Sequence, residues 1–232
     1  VIGAGTALGA FDLDSTGTTT VNGNIRAGSI AMDGATDVDL ATGAITLSTS
    51  AANGAITLTG GAVDGAQDLT ITAGSGAVSL DGMGQSTPVG ALDVDTTGAL
   101  TFNDGVAASS IALDGAADVD LATGSVTLDT SAGNGVVTFA TAGNVDGAQD
   151  LTITAGSGAV NLSAIGAGTA VGAFDLDSTG TTTVNGNISA GSIAMDGATD
   201  VDLATGAITL STSAANGAIT LTGGAVDGAQ DL

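Results

Sequence analysis

Aspartate carries nearly all the chemistry this sequence can do. Of 232 residues, 24 are acidic, and every one of them is Asp. Many recur as Asp-x-Asp: Asp12/Asp14, Asp37/Asp39, Asp93/Asp95, Asp118/Asp120, Asp175/Asp177 and Asp200/Asp202. Alternate side chains of an extended strand share a face, so each pair sets two carboxylates on one side. Hard oxygen ligands at that density suit Ca²⁺. These twelve residues are therefore the candidate metal ligands, Ca²⁺ is the candidate ion, and no other cofactor is expected. Two readings compete with it. The aspartates could accept backbone N–H groups at chain corners, or face water with pKa values raised by their neighbours. Neither the Gly-Gly-x-Gly-x-Asp nonapeptide of calcium-binding β-rolls nor an EF-hand loop is present.

Other chemistries are poorly supplied. The chain has no His, Cys, Trp, Tyr or Lys, and Arg26 is its sole basic side chain. Nucleophilic and acid–base catalysis lose their usual groups. A paired-carboxylate hydrolase needs two carboxyls in unlike environments, which a periodic sequence does not provide. No enzyme is expected. With a net charge of −23 the chain lacks the cations that bind phosphate, which argues against nucleic acid and anionic membranes as partners. Thr-x-Thr recurs at Thr18/Thr20, Thr57/Thr59, Thr70/Thr72, Thr152/Thr154 and Thr220/Thr222, a pattern compatible with ice binding. The pairs fall in different strands, however, and Thr favours outward strand positions in any case. Arg26 reads as a surface substitution that offsets nearby Asp, and the four Phe read as core.

The elements that position these residues follow from repetition. Residues 1–69 return as 164–232 with three differences, Val1/Ala164, Leu8/Val171 and Arg26/Ser189, and a diverged copy lies between. The large period is about 82 residues, and self-similarity at a fixed period marks a repeat architecture. Within it, Gly-Ala-x-Asp-(Leu/Val) starts at Gly9, Gly34, Gly65, Gly90, Gly115, Gly147, Gly172, Gly197 and Gly228. Successive starts are about 25–32 residues apart, a spacing typical of stacked structural units. Between starts the apolar residues alternate with polar ones, as in DVDLATGAITLS at 37–48, which is the strand period. Gly, Asn and Asp mark the corners. Apolar residues make up 43% of the chain, so its acidity does not imply disorder.

Short strands in near-equivalent repeats bury their apolar side by stacking. The expected fold is all-β, a parallel β-solenoid with three short strands per coil of about 25–32 residues, one Gly-Ala-x-Asp unit to a coil. That coil length suits a right-handed β-helix. Residues 1–232 form one continuous segment, read as part of a longer chain. In this arrangement the first strands stack Leu13, Val38, Leu69, Val94, Val119, Leu151, Leu176 and Val201 in one row. Asp12, Asp37, Asp68, Asp93, Asp118, Asp150, Asp175, Asp200 and Asp231 form a single outer column. Such a column is costly: two unit charges about 5 Å apart in water repel by about 0.8 kcal/mol.

The passage AITLTGGAVDGAQDLTITAGSGAVSLDG resembles the repeat tracts of large bacterial surface exoproteins and adhesins of the filamentous-haemagglutinin or autotransporter type. The resemblance implies a right-handed β-helix, secretion or surface display, and adhesion or scaffolding. The expected function is thus a structural segment of an extracellular fibre that associates with itself, end to end or sideways. The alternative is the stalk of an adhesin that meets a cell-surface receptor or glycan through other regions. No membrane insertion of this segment is expected.

Overall fold

The computed structural model describes residues 1–139, 142–204, 206–228 and 231–232. Every strand pair in it is parallel, no described residue is helical, and the strands stack into a β-solenoid of about ten coils. At the usual rise between strands, that is a rod of roughly 45 Å. Among the described residues no helix is long and apolar enough to cross a membrane.

Each coil has three faces. Face one begins at Phe11–Asp12, face two at Thr18–Val21 and face three at Ile25–Arg26. One inward residue per coil builds an axial column on each face. On face one this runs Phe11, Ile30, Ile56, Val78, Leu100, Val119, Val145, Ile165, Ile188, Leu210. Face two runs Thr19, Val38, Val63, Met83, Val106, Leu128, Ile153, Leu176, Met195, Leu221. Face three includes Ile25, Leu47, Ile71, Val94 and Leu113. Apart from Thr19 these columns are apolar, and their interior members have almost no exposure. Phe102, Phe139 and Phe174 are fully buried and Phe11 packs against the core, as the sequence leads one to expect.

The coil is shorter than the spacing of the sequence units. On face one a single coil takes the chain from Phe11 to Ile30, and the next, longer one takes it from Ile30 to Ile56. Nine such steps carry the chain from Phe11 to Leu210. A coil therefore averages about 22 residues, near the lower end for solenoid repeats. The expected coil of one Gly-Ala-x-Asp unit is thereby corrected, since the unit overshoots one turn. Its aspartates do not form one column, and the row expected from Leu13 to Val201 is dispersed over all three faces. Val38 lies on face two, Val94 on face three and Val119 on face one. The inward orientation of those residues stands; their axial succession does not. The reason is that any two inward apolar side chains can stack, so the corners decide where a coil closes.

The large repeat consequently turns about the axis. Asp37–Leu40 is on face two, its counterpart Asp118–Leu121 on face one, and the next, Asp200–Leu203, on face three. Each copy advances about three and two-thirds coils, so equal letters serve on unequal faces.

Corners are held by recurrent contacts. Thr49 and Thr130 are buried and donate Oγ1–H to Gly54 O at 2.6 Å and Gly135 O at 2.8 Å. Asn53 and Asn134 sit between them with φ of 55° and 51°, and their Oδ1 atoms accept the amides of Ser75 at 3.0 Å and Ser157 at 2.9 Å on the following coil. A Cβ on Gly54 or Gly135 would stand 1.7 Å from a carbonyl oxygen of the coil beneath. Only glycine allows the corners to nest so closely.

Candidate functional site

Apart from Asp14, which follows the strand Phe11–Asp12, the candidate ligands lie on outward strand positions, and the parallel register gives each of these a defined axial neighbour. Asp39 faces Thr20 on one side and Asp64 on the other. Asp95 faces Thr72 and Asp114, and Asp120 faces Thr101 and Asp146. Asp177 lies between Thr154 and Asp196, and Asp202 between Thr183 and Asp227. The first aspartate of each pair has no acidic neighbour directly in register: Asp37 lies between Thr18 and Ala62, Asp93 between Thr70 and Ala112, Asp175 between Thr152 and Ala194. Along each axial row like charges therefore meet in twos, and Thr, Ala or Asn separates one couple from the next. The repulsion of an unbroken column does not arise.

The partners Asp64, Asp114, Asp146, Asp196 and Asp227 were not among the candidate ligands. A sequence signal for them exists. Each immediately precedes a Gly-Ala-x-Asp box, as does Asp33. The register that pairs them with an Asp-x-Asp one coil earlier could not be read without the coil length.

Three carboxylates converge at Asp12, Asp14 and Asp33, where one oxygen of each lies within 4.8 Å of the others, all exposed. Ca²⁺ takes six to eight oxygens. Three exposed carboxylates on the rim of the first coils supply part of that shell, with water left to supply the rest. The remaining candidate ligands, from Asp37/Asp39 through Asp200/Asp202, are brought together as couples rather than as sets of three within that range.

The reading of Asp as an acceptor at corners holds for part of the set. Asp68 Oδ1 accepts the Ala91 amide at 2.8 Å and Asp150 Oδ1 the Ala173 amide at 2.7 Å. Asp64 Oδ1 accepts the amides of Ser86 at 2.9 Å and Thr87 at 3.0 Å, and Asp146 Oδ1 those of Gly168 at 2.8 Å and Thr169 at 2.9 Å. These carboxylates fasten one coil to the next.

No family model, no curated protein and no solved structure matches this chain. What the faces can do must be read from their own chemistry.

Burial and neighbouring charge separate the aspartates electrostatically. Burial, then Asp39 and Asp64, raise the pKa of Asp37, against a lowering by the Val38 amide. Burial, then Asp120 and Asp146, do the same at Asp118. At Asp93 burial acts first, followed by Asp114 and Asp95. At Asp81 burial raises the value, a hydrogen bond from Asn103 opposes it, and the charge of Asp104 adds to the rise. The third reading, of neighbours raising pKa values, thus applies to these four, with burial as the larger cause.

The Thr arrays are short. On face three Thr46 and Ser48 stack on Thr70 and Thr72, but Asp93 and Asp95 occupy the next rung. On face two Thr152 and Thr154 are followed by Asp175 and Asp177. Arg26 is exposed and stands in register with Ser48. A cavity of about 350 Å³ at the first coil is lined by Ile2, Phe11, Leu13, Val21 and Met32, inward residues seen end-on, together with the exposed Val1, and no acidic or basic side chain borders it.

Proposed function

We propose that the chain is a load-bearing rod segment of an extracellular or cell-surface fibre, built to hold length and shape rather than to transform a substrate. The observation that carries this reading is the interchangeability of the faces. Copies of one passage occupy face two, face one and face three in turn, each with buried inward residues and intact parallel ladders. A sequence tolerant of every face can be extended by simple duplication, and each added copy of about 82 residues lengthens the rod by roughly 18 Å at the strand spacing. Rigidity comes from backbone ladders and continuous apolar columns, which tie each coil only to its neighbours.

The acidic exterior fits the same role. Aspartates at regular intervals keep a long, otherwise apolar solenoid dispersed. Edge pairing is confined to the two ends of the stack, where the ladders offer unpaired N–H and C=O groups to a further coil or a second copy.

The reading is tested by electron microscopy of chains carrying one, two and three additional copies of the large repeat, beside a micrograph of the native material. Straight rods that lengthen by a constant increment per repeat, and filaments outside the cell, are the expected result. Particles whose long dimension does not grow with repeat number would sink it.

A further inference from the structure

On face two Asp37 is in register with Ala62 of the following coil, and Asp64, two residues on along that strand, shares its outward side. Asp64 is only 5% exposed, and two amides, Ser86 N–H and Thr87 N–H, already point at its Oδ1. Asp37 Oδ1, by contrast, has no contact with solvent and no donor. The same set recurs on face one. Asp118 is in register with Asn144, two residues before Asp146, which is 8% exposed and accepts Gly168 N–H and Thr169 N–H, while Asp118 Oδ1 is again inaccessible and without a donor. On face three the third copy repeats the orphaned oxygen at Asp200.

Asp37 and Asp118 are half-buried, but an ionised carboxylate with one oxygen shut away from water and without a donor is disfavoured, and a second carboxylate beside it adds to the cost. The surroundings offer no cation. Asp37 is flanked by Thr18 on the preceding coil, Asp39 on its own strand and Asp64 above. Asp118 is flanked by Ala99, Asp120, Asn144 and Asp146. Arg26, the sole basic side chain, is on face three. The two members of each couple are also unequal. Oδ1 of Asp64 and of Asp146 already accepts two amides, whereas Oδ1 of Asp37 and of Asp118 has no donor, so the shared proton is placed on Asp37 and on Asp118.

We infer that Asp37 and Asp118 retain a proton and donate it to Asp64 and Asp146, forming carboxyl–carboxylate hydrogen bonds that clasp consecutive coils and open as pH rises. The proton leaves to solvent when the clasp opens, and two facing anions then take the place of a hydrogen bond. The folded pKa of the donor lies above its unfolded value. The clasp therefore contributes fully below the ordinary aspartate pKa and is lost as pH rises through the folded one. The rod is tightened as pH falls and loosened as it rises, at points set on different faces along its length.

Two measurements on the full chain test this. Carbon-detected NMR titration of the Asp Cγ resonances should place the midpoints of Asp37 and Asp118 above 3.8, the ordinary value. The double variant Asp37→Asn, Asp118→Asn keeps a donor and removes the charge. It should raise the melting temperature at pH 7 by several degrees and leave it unchanged at pH 3.5, whereas Asp175→Asn, at an exposed position in register with Thr152 and Ala194, serves as the control for general charge reduction. Midpoints at or below 3.8, or a pH 7 gain no larger per residue than that of Asp175→Asn, would overturn the clasp.

Discussion

Asn134, held at φ 51°, accepts the amide of Ser157 at 2.9 Å across the boundary between two coils. One residue thereby supplies both the left-handed corner and an axial tie. Asn adopts that backbone region more readily than other non-glycine residues because its short amide bonds locally. Replacing Asn134 by Ala removes the acceptor and strains the corner together, and stability should fall by about 1–2 kcal/mol. Asn134→Gly keeps the backbone freedom and loses only the acceptor, so its loss should be smaller. Urea unfolding midpoints of the two variants order the contributions.

The nesting of corners makes a second forecast. A methyl group on Gly135 would lie 1.7 Å from the Ser109 carbonyl oxygen, so the backbone of one coil must move. Gly135→Ala should therefore lower stability by about 1–3 kcal/mol, the usual range for forced overpacking. Gly17 has no heavy atom within 4 Å of the same added methyl. Gly17→Ala should leave the melting temperature unchanged or slightly raised, through the unfolded state. Equal effects at the two sites would contradict the register of the corners.

Acid should strengthen the fold at Asp93 as well. Its pKa is raised by burial and by Asp114 and Asp95, so the folded chain holds this proton more tightly than the unfolded one. Stability from this group is complete below 3.8 and is lost as pH rises through the higher folded value. Asp93→Asn should stabilise the chain at pH 7 and have no effect at pH 3. Thermal melts at both values check the sign.

Calcium should matter little to the rod as a whole, since only Asp12, Asp14 and Asp33 bring three carboxylates together among the described residues. Millimolar CaCl₂ and EDTA, compared at matched ionic strength, should give the same melting temperature. A rise with Ca²⁺ that Asp33→Asn abolishes would locate an ion at that rim and reverse this expectation.

The solenoid and its inward phase were legible because alternation is local. Val38, Leu40, Ile45 and Leu47 announce their orientation within one short passage, and all four are buried. Coil length was not legible, because the shared Gly-Ala-x-Asp frame takes different backbone roles. Gly65, at φ 119°, and Gly147, at φ 130°, turn corners, whereas Gly90 and Gly172 lie inside the strands Val89–Thr96 and Val171–Ser178. Asp68 and Asp150 correspondingly fasten corners, while Asp93 and Asp175 face outward from strands. Only the variable third position separates these uses, with Gln67 and Gln149 at the corners and Leu92 and Phe174 turned inward within the strands. The shared Gly, Ala and Asp do not, and the coil beneath completes the choice through nesting at glycine and through amides that need an acceptor. The acidic couples were missed for the same reason, since Asp39 and Asp64 become neighbours only once the coil between them has closed.

The fractional advance of the large repeat gives copy number a second meaning. A gene that gains one such copy does more than lengthen its product: it swings whatever follows to a new compass bearing, and three gains bring that bearing home. Lengthening and aiming are thus the same mutation, and a lineage could redirect a distal segment without altering a single codon within it.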